Sequence, residues 1–143
     1  SSGMPVEGRI FCAPSNAEAV LVIDPGTGSC YTIGDLPHRE DKWKGGFAGL
    51  GGRLYCVPAS GASAALAIEP AGGGRVEVLH SPESAPAGGG PPRPCGWFPG
   101  LRGPDGKFYM TPQDAASVLV LDPGGQAATL FGSFGGGPFK WSP

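Results

Sequence analysis

GKFYMTPQDAASVLVLDPGGQAATLFG, residues 106 to 132, decides the fold, because the chain carries it three times. The first copy, GRIFCAPSNAEAVLVIDPGTGSCYTIG, covers 8 to 34, and a degraded copy, GRLYCVPASGASAALAIEPAGGGRVEVLH, covers 52 to 80. Each opens with Gly and a basic residue and runs through a short apolar stretch ending in Pro. A small-residue loop follows, then a second apolar stretch ending in Asp-Pro or Glu-Pro, then a third short run. Repetition at roughly 45 residues marks a propeller or a solenoid.

Working outward from the repeat, RIFCAP (9 to 14) reads as a strand stopped by Pro14, because proline cannot donate to a ladder. VLVI (20 to 23) is apolar on both faces, which suits a sheet stacked between others. Asp24-Pro25-Gly26-Thr27-Gly28 is a turn: Pro presets φ, Gly supplies positive φ, and the Asp carboxylate accepts from amides ahead of it. CYTI (30 to 33) returns. No segment has helical periodicity of useful length. Trp43 lies nine residues before Gly52, and Trp97 nine before Gly106, so the Trp belongs to the repeat and each complete unit reads as four antiparallel strands.

Composition agrees. The 143 residues suffice for one domain; 40% are apolar, 15% charged, and 27 Gly with 17 Pro fall at matching repeat positions, as turns between many short strands. A net charge of −2 gives no reason to expect nucleic acid or an anionic membrane as partner. No apolar run approaches the roughly 18 residues that span a bilayer. SSGMPVEG lacks signal-peptide character, so a soluble and by default cytoplasmic protein is expected. Ser1-Ser2-Gly3 is native sequence or an expression remnant. Cys12 and Cys56 share a repeat position with Met110, which fits a buried soft apolar site better than a metal ligand or half a disulfide; Cys30 and Cys95 have no counterparts.

The ends suggest a permutation. The unit beginning at Gly8 has no Trp strand ahead of it, while Lys140-Trp141 has no unit behind it. Joining Pro143 to Ser1 places Trp141 ten residues before Gly8 and makes the next repeat spacing 45, beside 44 and 54 within the chain. The expected units are 1 to 34 completed by 140 to 143, 42 to 80, and 96 to 132. Propellers hold about four to eight four-stranded blades, and three are too few to close. The expected fold is all-β: three four-stranded blades, half of a six-bladed β-propeller completed by a two-fold-related second chain. In that homodimer Lys140 and Trp141 of each chain close the ring on the other. The rivals are half of a longer propeller, a different partner chain, or an open stack of three sheets.

VLVIDPGTGSCYTIG resembles the strand-turn-strand core of YVTN/NHL-type β-propeller repeats, and GKFYMTP with an upstream Lys-Trp is similar to repeats of that superfamily. The resemblance covers most of the chain and implies the fold. It implies no particular function, since propellers host lectins, scaffolds, lyases and hydrolases.

Few residues carry candidate chemistry. Trp43, Trp97 and Trp141 are possible sugar-stacking platforms; the simpler reading packs them between blades. Lys42 and Lys140, each preceding a Trp, read as surface cations before ligand groups. Arg9, Arg53 and Lys107 share one position, either lining a central channel for an anion or standing in turns in water, the second preferred. Asp24, Glu69 and Asp122 share another, explained by the following Pro without calcium. His38 and His80 lie in no metal-ligating spacing, and no nucleophile elbow or phosphate loop occurs. The expected role is therefore non-enzymatic: a rigid disc, without cofactor or metal, presenting a channel or the connections 35 to 41, 81 to 94 and 133 to 139 to a protein or small ligand. Lectin-like carbohydrate binding is the first alternative and a propeller lyase or hydrolase the second.

Overall fold

Three antiparallel sheets, each a four-strand meander, make up the computed structural model, which describes residues 3–59, 64–79, 97–98, 100–113, 115–122, 127–134 and 141. The first holds β1 (Gly3–Val6), β2 (Arg9–Cys12), β3 (Val20–Asp24) and β4 (Ser29–Ile33) in that order. The second holds β5 (Trp43–Ala48), β6 (Leu54–Pro58), β7 (Ala65–Glu69) and β8 (Arg75–Leu79). The third holds β9 (Leu101–Arg102), β10 (Phe108–Met110), β11 (Val118–Asp122) and β12 (Ala127–Phe131), with Trp97 bridged separately to Pro112. Helical geometry among the described residues is confined to the one-turn 3-10 segments Leu50–Gly52 and Ala71–Gly73. No helix there is long and apolar enough to cross a membrane.

Strand register explains the stacking. On β6 and β7 both side-chain sets are apolar, so the second sheet needs a cover on each face. Leu54, Cys56, Leu66 and Ile68 pack with Phe11, Val20 and Val22 of the first sheet. Tyr55, Val57, Ala65 and Ala67 pack with Phe108, Met110, Leu119 and Leu121 of the third. The second sheet is the middle of the stack. Each aliphatic side chain so enclosed contributes about 1.5–3 kcal/mol relative to exposure.

The first sheet corrects one expectation. The unit beginning at Gly8 was to lack its first strand, with 140 to 143 supplying it. Instead β1 fills that place, pairing Gly3 with Cys12 through Val6 with Arg9. Glu7 and Gly8 form the connection at φ 50° and 75°, the handedness a two-residue hairpin needs to match strand twist. From this strand Met4 packs on the second sheet.

Sheet contact also dictates a glycine. Gly46 sits opposite Cys56 at a bulge in β5, and a Cβ there would run into the Tyr55 carbonyl and the Met4 sulfur. Only a residue without a side chain lets β1 and β5 approach this closely.

The register also sorts the connections. The turns β1–β2, β3–β4, β5–β6, β7–β8 and β9–β10 contain two to five residues and share one edge of the stack. Residues 13–19 and 34–42, seven and nine long, share the other. Asp24 fulfils its turn role on the short edge, accepting from Gly26 N at 2.9 Å and Thr27 N at 3.2 Å.

Replacing Gly46 by Ala is expected to lower stability by about 2 kcal/mol through overpacking, whereas Gly26→Ala, whose Cβ meets only a carboxylate oxygen, changes it by less than about 0.5 kcal/mol. Urea unfolding midpoints of the two variants check this.

Candidate functional site

The indoles hold sheets together. Trp43 opens β5 between the first and second sheets, and Trp97 lies between the second and third; both are buried. Each carries its polar atom into the interior with a partner: Trp43 Nε1 donates to Ala64 O and Trp97 Nε1 to Ser117 O, both at 2.8 Å. The two carbonyls precede β7 and β11, so the same bond is made twice. Neither ring offers an open face to a pyranose. Trp141 differs, 41% exposed and edge-on to Phe134 at 5.2 Å between centroids. Its neighbour Lys140 lies outside the described residues.

At the head of the second strand the basic position is bonded to protein groups in two of the three sheets. Arg9 turns toward the second sheet, where Nη2 donates to Pro70 O at 2.9 Å, while Nη1 donates to Tyr31 Oη of its own sheet at 3.0 Å. Tyr31 in turn donates to Gly73 O at 3.3 Å. Arg53, buried toward the third sheet, gives Nη2 to Glu77 at 2.6 Å, and its guanidinium lies 5.9 Å over the Tyr55 ring. Burial raises the Tyr55 pKa, opposed by the Arg53 charge. Arg9 thus crosses from the first sheet to the second beside the short-turn edge, whereas Arg53 is held by β8 of its own sheet. Lys107, half-buried, has the same place on the third sheet, where Tyr109 Oη donates to Asp105 at 2.6 Å. That bond holds the Asp105 carboxyl below its ordinary range and raises the Tyr109 hydroxyl.

Lys42 corrects a second expectation. It was read as a surface cation and is buried, Nζ donating to Arg39 O at 2.8 Å and lying 6.0 Å from the Trp43 ring. Burial lowers its pKa, partly offset by the Glu18 carboxylate. Its main chain explains the depth: Lys42 N donates to Ser15 O, and Lys42 O accepts from Ala59 N. Asp41 N donates to Asn16 Oδ1, Leu36 N to Glu18 O, and His38 Nδ1 lies 2.7 Å from Glu18 Oε1. Connection 34–42 is thereby laced to connection 13–19, which leaves Asp35, Glu18, His38, Arg39 and Glu40 exposed on the long edge. Sequence spacing contains no sign of this lacing, because every bond but one uses a main-chain atom. Residues 81 to 94 and 135 to 139, the other expected recognition segments, lie outside the described residues, while Ser133 and Phe134 are described.

Among the described residues no three His, Cys, Asp or Glu side chains gather to hold a metal ion. Cys12, Cys30 and Cys56 are free thiols, and burial pushes Cys56 up to about 12, which makes it an inert apolar filler. His80 and Cys95 are outside the described residues. A scan against protein-family models finds no match, and a search of curated proteins finds none.

Two outcomes are expected. The Trp141→Phe variant, which keeps only the two buried indoles, resists fluorescence quenching by iodide; a quenchable component would reveal an open ring. Because the folded Lys42 pKa lies below 10.5, the unfolded chain binds the extra proton between the two values. Folding stability of the wild type relative to Lys42→Met therefore rises as pH climbs through that window and is lowest beneath it. Urea titrations of both proteins at several alkaline pH values measure the difference.

Proposed function

We propose that this protein is a non-enzymatic binding module of the β-propeller type, six-bladed when complete, that meets a protein partner or small ligand with the long-connection edge of its sheets. One observation supports the reading: among the described connections, turns of two to five residues lie on one edge and the seven- and nine-residue loops 13–19 and 34–42 on the other. Rigid sheets that gather variable loops on a single side are a common way of building a recognition surface. The lacing of 34–42 onto 13–19 favours the same view, since loops held by main-chain bonds lose little freedom when a ligand arrives. The exposed side chains there are of both signs, which suits a polar protein surface better than a polyanion.

The test is a selection of binders from a displayed peptide library, in parallel with a glycan array. Binders are expected to weaken at least tenfold against Glu18→Ala/Arg39→Ala and to hold their affinity against Thr27→Ala/Arg75→Ala on the opposite edge. Binders that map to Thr27 and Arg75 would overturn the assignment. Array signals lost in Trp141→Ala would transfer it to carbohydrate.

A further inference from the structure

We infer that two copies of this chain join head to tail, the outer face of the first sheet in each docking on the outer face of the third sheet in the other. The inference rests on the propeller reading of the stack and is independent of which edge binds ligand. It comes from comparing repeat-equivalent positions, which have the same register in every sheet but not the same neighbours.

Leu21, Leu66 and Leu119 are equivalent, paired with Cys12, Cys56 and Met110, which share one repeat position. Leu66 is 0% and Leu119 3% exposed, because each faces the preceding sheet; Leu21 is 38% exposed, because the first sheet has no neighbour on that side. Ile10, Cys12, Ile23 and Cys30 share its face by register. The opposite end of the stack mirrors this. Met4 and Leu101 are equivalent, paired with Phe11 and Tyr109. Met4 is 4% exposed against Gly46, while Leu101 is 82% exposed. Tyr109, Val118 and Phe131 lie on the same outer face as Leu101.

The two open faces are therefore the two halves of a contact the chain already makes twice within itself. The face carrying Leu21 is the kind that packs, as Leu66 and Leu119 do, on the face carrying Phe11 or Tyr55. Its missing counterpart is the face carrying Tyr109. Further equivalences name the bonds. Phe134 N donates to Ala116 O as Leu36 N does to Glu18 O, so Phe134 stands where Leu36 stands. Trp141 follows Gly132 by nine residues as Trp43 follows Gly34. Leu36 and Trp43 are buried between sheets, whereas Phe134 and Trp141 are exposed. In the docked pair the Trp141 indole donates to Ala19 O of the second copy, as Trp43 does to Ala64 O. Lys107 reaches the Asp24-Pro25 turn of that copy, as Arg9 reaches Pro70 O. A cation thus meets an acidic turn.

Copy number follows from closure. Whole copies add three sheets at a time and propeller rings hold about four to eight, so two copies close a ring and three overshoot. Each copy gives one face of each kind, making the same contact twice around the two-fold axis.

Light scattering on a sizing column tests the pairing. The wild type is expected at twice the 14.4 kDa chain mass. Leu21→Arg and Phe131→Arg, each with an unchanged far-UV circular dichroism spectrum, are each expected at the single-chain mass. Mixed together they return to the double mass, because each keeps the face the other has lost. Iodide quenching of wild-type Trp141 falls as the protein is concentrated. A wild type of single-chain mass or of three or more copies, or a dimer that survives either Arg substitution, overturns the proposal. None of these results touches the assignment of the ligand-binding edge.

Discussion

A sheet that is apolar on both faces has no stable place in water except between two others, and that requirement governs this molecule. β6 and β7 are buried along nearly their whole length, on the side of Leu54 and Leu66 and equally on the side of Tyr55 and Ala67. The first and third sheets exist in their positions because they satisfy this demand. In the two seams the indole nitrogens, Arg9 and Nη2 of Arg53 are matched to main-chain carbonyls or to an ion pair, while Arg53 Nε and Tyr55 Oη are buried without a hydrogen-bond partner. Desolvating such groups unpaired would cost more than the hydrogen bonds return. The seams are therefore apolar in the middle and hydrogen-bonded at the margins.

Strands and turns were legible in the sequence because they rest on local rules. Pro14, Pro58 and Pro112 end strands, Asp24 bonds its own turn, and the four-strand unit follows from aligning the copies. The burial of Trp43 and Trp97 followed from their membership in the repeat. β1 was not legible: Met4-Pro5-Val6 is too short and carries no Trp, and its place is set by the Glu7-Gly8 hairpin and by Gly46 of another sheet. Nor was Lys42, since a lysine ahead of a surface-like loop looks solvated until Ser15 and Ala59 draw its main chain inward. The equivalence of the Arg9 and Arg53 positions was legible, but the bonds that draw them out of solvent were not. Their targets, Pro70 on the next sheet for Arg9 and Glu77 on the far strand of its own sheet for Arg53, are 61 and 24 residues away in sequence, beyond any pattern that spacing can express.

The edges divide labour as the seams do. Short turns with left-handed residues such as Glu7 and Gly28 fix strand register and leave little surface to vary. The longer connections 13–19 and 34–42 are attached to one another through the main chain at Ser15, Glu18, Leu36, Asp41 and Lys42, through the Asn16 side chain and through the Glu18–His38 pair. The exposed Arg39 and Glu40 side chains take no part in that attachment.

The meander has a kinetic corollary. Every ladder in all three sheets joins strands adjacent along the chain, so each can nucleate from a nearby turn without closing a long loop. Among all-β proteins, usually slow because their pairings are distant, such wiring favours rapid acquisition of each sheet. What must wait is docking: the middle sheet emerges from synthesis with one cover already made and the other still to come. During that interval the Tyr55 face is bare, and the duration of its exposure sets the window in which a nascent chain can associate wrongly.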